Sequence, residues 1–470
     1  MEAEILEQLV AITGSQYAKT TVAQKLAYSY DATPNFQAMP DVILSPGSTE
    51  DIQAIVKVCA THRIPIISRG SGTNLAAGTV PTAGGVVLLF NRMNRLLELD
   101  EGNLTITVQP GMITSEINAL VEPKGLFYPP DPSSMNISTI GGNVSENSGG
   151  LRGLKYGVTR DYVKGLTIVL PNGELLKTGG KLAKDVAGYD LTSLYVGSEG
   201  TLGVITEITL SLIPAPASKQ TLLAFYNRLE EAAEAVSSII AAKIIPTTLE
   251  FMDKGTIETV EDFMNFGLPT DCEAMLLIEQ DGDPLIVEKD MALMHQLCME
   301  HGATSTQHAQ TEAEAEKLRT GRRSALSALA RKRPTTILED ATVPRSEIAN
   351  MVKAIQQIAD KYDLVICTFG HAGDGNLHPT CLTDARDQAE MLRVEAAFSE
   401  IFEHAIQLGG TITGEHGVGE MKSPYLEWKV GAAGMEVMRN IKQAVDPLQI
   451  MNPGKIFAKD TKKRVVVQHG

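Results

Sequence analysis

The chain has 470 residues with ordinary globular proportions of apolar and charged side chains, so one core is too small an answer and two large domains are expected. A formal charge of -16 argues against nucleic acid or an anionic membrane as partner, since such surfaces need clustered Lys and Arg. Five scattered cysteines without a CxxC pair exclude a disulfide framework and a cluster site of the chain's own, and fit a reducing cytoplasm.

In chain order, Met1 to Ser15 lacks a basic start and apolar run, so no secretory signal is read there. No stretch reaches the roughly 20 apolar residues of a membrane span, so direct insertion is not expected and any membrane association would run through partners. Residues 41–48 read as a strand and turn. A helix with Ile52, Ile55, Val56 and Cys59 on one face follows, started by a capping-box variant at Ser48 and Asp51. His62 at its end is expected to face solvent. The strand Ile64–Ile67 opens into Arg69-Gly70-Ser71-Gly72-Thr73-Asn74, where glycines let successive amides turn toward one phosphate-sized anion. Alone, that loop is equally a tight structural turn, and it does not match the GxGxxG nicotinamide fingerprint.

Short apolar runs fill 85–108, a helix is expected over 112–121, and strands over 161–176 and 203–212. Between them lie Pro130, Asp131 and Ser134, then Ser138, Thr139, Gly141, Gly142, Asn143, Ser145, Gly149 and Gly150, then Tyr156 and Gly157. Glu199, Gly200, Gly203, Val204 and Ile205 form a further glycine loop running into a strand. Such a density of small residues points to a backbone pressed against a large, flat, polar partner. Pro214-Ala215-Pro216 breaks the pattern, which predicts domains 1–215 and 216–470. Beyond it, strands at 221–226, near Thr248, at 273–279 and at 364–368 alternate with helices at 229–240, 286–300, 345–362 and 386–408, an antiparallel sheet covered by helices.

The second dense site is Phe369-Gly370-His371-Ala372-Gly373-Asp374-Gly375-Asn376-Leu377-His378, read as two imidazoles on one glycine-rich turn. Gly414-Glu415-His416-Gly417 adds a carboxylate and a third imidazole. His371, His378 and Glu415 suit a divalent Zn, Mn or Fe with open positions, although a histidine pair in a loop is commonly structural. Arg319, Arg322 and Arg323 lie on a segment that also reads as a solvated helix face.

The three glycine loops, in this order, resemble the FAD-binding domain of the vanillyl-alcohol oxidase and p-cresol methylhydroxylase superfamily. The histidine strings resemble the substrate domain of the group containing glycolate oxidase flavin subunits, D-lactate dehydrogenases and D-2-hydroxyglutarate dehydrogenases. The resemblance implies an α+β fold: a two-part FAD-binding domain plus a C-terminal substrate domain, with a tail at about 445–460 returning to the first. It implies non-covalent FAD on the three loops, Arg69–Asn74 meeting the pyrophosphate, Glu199–Ile205 approaching the adenosine half, and Asn452 at the flavin edge. It further implies His371, His378 and Glu415 as metal ligands, Asn376 as a substrate contact, Arg322 as receiver of the substrate carboxylate, and His416 as base. Arg319 stands where such proteins commonly carry tryptophan, a departure. The implied reaction is oxidation of a small D-2-hydroxy acid to the 2-oxo acid with hydride passing to flavin N5. Electrons would leave through an accessory flavin-type subunit and an iron-sulfur subunit, or another acceptor. The rival classes are a metal-dependent hydrolase of a nucleotide-like substrate and a non-enzymatic nucleotide-sensing module, both of which predict colourless protein.

Overall fold

Val42–Leu44 and Ile66–Arg69 are short, begin with apolar residues and are separated by an amphipathic helix, the pattern of a parallel crossover. In the computed structural model, which describes residues 1–457, both strands pair in parallel with Val86–Leu89, and the short strand Ala18–Lys19 adds antiparallel at the edge. The helix Thr49–His62 buries Ile52, Ile55, Val56 and Cys59, as its periodicity predicts, and ends at Arg63 in the left-handed region. Ser48 accepts the Asp51 amide at 3.2 Å, whereas the Asp51 carboxylate turns to the Gly47 amide, so only half of the expected box forms. His62 is exposed.

A second, antiparallel sheet runs in the order Leu96–Asp100, Thr105–Val108, Val204–Ser211, Val163–Val169, Leu175–Gly179. The stretch expected as one strand over 161–176 is therefore a hairpin arm and the start of its partner. Val169 and Val204 pack into the same core as Val42, Ile55, Val86 and Met451. The last of these belongs to the tail. Ile66 donates to Ile450 O and accepts from Asn452 N, both at 2.8 Å, and Lys442 ties the tail down by donating to Thr201 O, Met451 O and Asp446.

The remaining sheet is antiparallel, ordered Ala303–His308, Ser218–Tyr226, Ala274–Gly282, Thr248–Asp253, Val365–His371, Asn376–Thr383, Thr335–Leu338, with Ala341–Thr342 also on Asn376–Thr383. The helices Leu229–Ala241, Pro284–Glu300 and Ile348–Tyr362 pack on it. Directly paired residues share a face, so the register sets Glu279, Thr248, Glu250, Phe369, His371, Asn376 and His378 on one side and Leu249, Phe251, Leu276 and Ile278 on the other. Between these strands the helix Lys254–Met264, which sequence periodicity did not pick out, starts at the Asp253 cap.

The described residues divide into two units, one of 1–148, 158–215 and 415–457, the other of 149–157 and 216–414. This differs in two places from a simple division into 1–215 and 216–470. Gly149–Gly157 goes with the second unit, where Lys155 and the Tyr156 hydroxyl both donate to Asp281. All the described residues from 415 to 457, not only a tail near 445, go with the first, and Glu199 and Ala76 bind the opening turn of this stretch through the amides of Val418, Gly419 and Glu420. Residues 458–460 of the expected tail lie outside the described residues.

Candidate active site

In the first unit the glycine loops line a partly open cleft. Of the residues singled out in the sequence, Arg69, Gly70, Thr139, Gly141, Gly142, Ser145, Glu199, Gly200, Gly203, Ile205 and Asn452 line it. Ser68, Gly78, Thr79, Phe90, Pro110 and Glu146 join them without having been singled out.

Other members of the predicted set serve the walls. Asn74 Oδ1 accepts the amides of Ala76 and Gly78, and Ser71 donates to Ile137 O. Asn143 donates to Thr114, and Ser138 Oγ lies 3.3 Å from the same hydroxyl. Ser138–Gly150 is not one irregular loop: Thr139 caps the helix Ile140–Glu146 by accepting the Gly142 amide. Tyr156 is held by Asp281 in the second unit, and Gly149, Gly150 and Gly157 go with it. Pro130, Asp131, Ser134, Gly72, Thr73 and Val204 are not on the cleft lining.

Some glycines are demanded by the protein itself. A Cβ at Gly70 would sit 2.1 Å from Thr139 Oγ1, and one at Gly141 2.6 Å from the Pro110 ring. The loops therefore interlock first and present their backbones second.

Charge in this unit is concentrated and buried. Glu199 accepts the amides of Val418 at 2.7 Å and Gly419 at 2.6 Å, just past His416. Burial pushes the Glu199 carboxyl up against the pull of those amides and of Lys455 and Lys422. Glu146 is pushed well above the ordinary carboxylate range by burial first and then by Glu199 and Asp31. Arg69 is buried, donates to Thr79, and is drawn below its ordinary value by that burial. Asn452 uses Nδ2 on Gly78 O and Glu199 O, while its Oδ1 is buried with no hydrogen-bond partner, an acceptor left for a ligand. The cleft is lined by glycine backbone, hydroxyls and one guanidinium. It suits a flavin dinucleotide.

In the second unit the histidines do not share a turn. His371 ends the strand Val365–His371 and His378 lies inside Asn376–Thr383, with Ala372–Gly375 making the hairpin between them. The pleat then brings the rings side by side, 5.2 Å apart and perpendicular. His371 Nδ1 lies 2.7 Å from Glu250 Oε1, and Arg322 Nε lies 2.7 Å from Glu250 Oε2. Arg322 is 2% exposed, covers the Phe369 ring at 4.7 Å, and keeps Nη2 buried with no partner. Asn376 Oδ1 is likewise buried and unpartnered.

Helix Glu312–Arg323 is thus no solvated face at these positions. Arg319 is 3% exposed and pairs with Glu279, Glu312 and Glu316. Burial opposes its charge, but Glu279 and the other two carboxylates more than offset it and hold the guanidinium above its ordinary value. Asp340, also buried, accepts the Gly414 amide at 2.7 Å and so fixes the end of this unit at the residue before Glu415. Glu415 and His416 open the next segment of the first unit, their side chains 4.0 Å apart. Sequence reading missed Glu250, because a lone acid in an apolar strand carries no motif.

A model of the FAD-linked oxidase C-terminal domain matches residues 215–456, and one of an FAD binding domain matches 40–179. The chain belongs to the FAD-linked oxidases and is an FAD-dependent oxidoreductase with a p-cresol methylhydroxylase-type cofactor domain. It is 63% identical to the glycolate oxidase subunit GlcD of Bacillus subtilis over 99% of both chains. It is 38% identical to the Escherichia coli K12 protein of the same name, over 92% of this chain and 86% of that one, and 36% identical to D-lactate dehydrogenase of Anaerostipes hadrus over 90% of each. p-Cresol methylhydroxylase shares the fold with a TM-score of 0.81 over 97% of this chain and 96% of that one, at 16% identity. Nothing in these comparisons supports the hydrolase alternative.

Proposed function

We propose that the protein oxidises a small D-2-hydroxy acid of the glycolate or D-lactate type to the 2-oxo acid. The observation that carries this reading is Arg322 in its buried setting, a guanidinium with one edge neutralised by Glu250 and Nη2 left without a partner. Such a fork is suited to a carboxylate, and desolvation makes each contact stronger. Asn376, whose Oδ1 is buried without a hydrogen-bond partner, would contact the substrate beside it. His416 would take the proton from the substrate hydroxyl as the Cα–H bond breaks. FAD, when bound in the first unit, supplies the two-electron acceptor.

The residues also fit a divalent cation. Two buried imidazoles with adjacent rings, one already oriented by a carboxylate, form half of an open nitrogen and oxygen site, and Glu415 follows directly on the fixed Gly414. We assign His371, His378 and Glu415 as its ligands, with Zn, Mn or Fe as the cation; the ion would supply Lewis acidity. The names of the two GlcD relatives describe them as subunits, which supports partner chains; we assign reoxidation to accessory flavin-type and iron-sulfur subunits in the cytoplasm, or to another electron acceptor. Among the described residues no helix is long and apolar enough to cross a membrane.

A dye-linked assay over glycolate and both enantiomers of lactate and longer 2-hydroxy acids tests the reading. Turnover confined to glycolate and D-acids is expected, and none with any acid would overturn it. His416→Ala should lower kcat by about 10²–10⁴-fold with the flavin spectrum intact. Unchanged turnover would remove the base role.

A further inference from the structure

Glu250 stands in the middle of the second unit's charged face and takes no direct part in the proton and hydride steps above. It is 1% exposed, on a strand whose neighbours Leu249 and Phe251 point into the apolar side. A carboxylate there is costly unless each oxygen is compensated. Oε1 hydrogen-bonds with His371 Nδ1 at 2.7 Å, and Oε2 is compensated by charge alone, in an ion pair with Arg322 Nε at 2.7 Å whose angle does not make a hydrogen bond. The register explains the aim, since Phe251 pairs with Gly370 and the next position places Glu250 beside His371.

We propose that Glu250 is a positioning residue that ties the metal ligand to the substrate-carboxylate receptor. By accepting at Nδ1 it keeps the His371 proton there and leaves Nε2 as the lone-pair nitrogen for a cation. With its other oxygen it holds the Nε edge of Arg322 and leaves Nη2 to the acid. Only a carboxylate does both. The two side chains it faces are donors, whereas an amide has one accepting atom. In Glu250→Gln, an amide oxygen on His371 sets an NH2 group against the guanidinium; the reverse orientation sets it against Nδ1 and favours the wrong tautomer. Phe369 under the guanidinium and His378 beside it restrict escape from either arrangement.

The inference rests on the metal reading above, so the test separates the two. Purified holoprotein, wild type and Glu250→Gln, is dialysed against graded chelator, and retained Zn, Mn and Fe are measured by elemental analysis alongside the flavin spectrum and the thermal midpoint. The expected result is stoichiometric metal in the wild type and about 10–100-fold weaker retention in the variant at full flavin occupancy. At saturating metal, KM for the hydroxy acid should stay raised by about tenfold, the size of one lost charge-assisted contact, while kcat recovers. Equal retention in both proteins would overturn the positioning role and leave the metal reading standing. A wild type that neither contains nor takes up metal would overturn both. Should the Gln variant not fold, Glu250→Asp keeps the charge but withdraws both oxygens by one carbon; it should also lose metal earlier than the wild type, and wild-type retention there would likewise overturn the proposal.

Discussion

The cofactor cleft of the first unit and the charged face of the second are built on opposite principles. The cleft is made of backbone and small side chains, interlocked at distances that forbid a Cβ, as at Gly70 and Gly141. The charged face is made of long ionisable side chains, each buried and each matched to another, with Arg319 on Glu279 and Arg322 on Glu250. A close-packed backbone fails when something is added; a buried charge network fails when something is removed.

The comparison can be broken most severely at the network. Arg319→Met leaves Glu279, 1% exposed, with the Thr221 and Thr248 hydroxyls and Lys219 at 3.5 Å in place of its closest cation, and should cost roughly 3–5 kcal/mol of stability, read as a lowered denaturation midpoint. A loss under about 1 kcal/mol would mean the network is not load-carrying. At the cleft, Gly70→Ala should cost about 1–3 kcal/mol and lower flavin occupancy. Adding Thr139→Ala removes the oxygen it strikes, so the second substitution should restore part of the occupancy despite losing the cap. If the pair is worse than additive, the interlock is not the cause.

The smallest effect comes from inside the first unit, where burial and the repulsion of Glu199 and Asp31 outweigh the Asn74 hydrogen bond and the attraction of Lys422 at the Glu146 carboxyl. Its folded-state pKa is raised from 4.5, so the folded protein binds the proton more tightly than the unfolded chain. The associated stability is complete below 4.5 and is lost as pH rises through the folded value. Glu146→Gln should therefore flatten thermal stability against pH over that window and leave the variant the more stable protein at its upper end. Parallel curves would show that Glu146 ionises freely.

Much of this was legible in the residues. The amphipathic face of Thr49–His62, the crossover before Arg69 and the break at Pro214–Pro216 followed from periodicity and turn chemistry, as did the glycine loops that line the cleft. The hairpin at His371–His378 was misread as a single turn. Glycines and a proline mask the alternation there, and a strand's pairing partner cannot be inferred from its own residues.

By itself the sequence determined which local elements form and which chemical groups the protein owns, because propensity, spacing and side-chain type are properties of neighbours in the chain. Only the tertiary structure decided that Glu250 meets His371, 121 positions away, and that Glu199 holds the amides of Val418 and Gly419. Those pairings are set by sheet register and by the enforced burial of charge, which appear only when distant strands share one face.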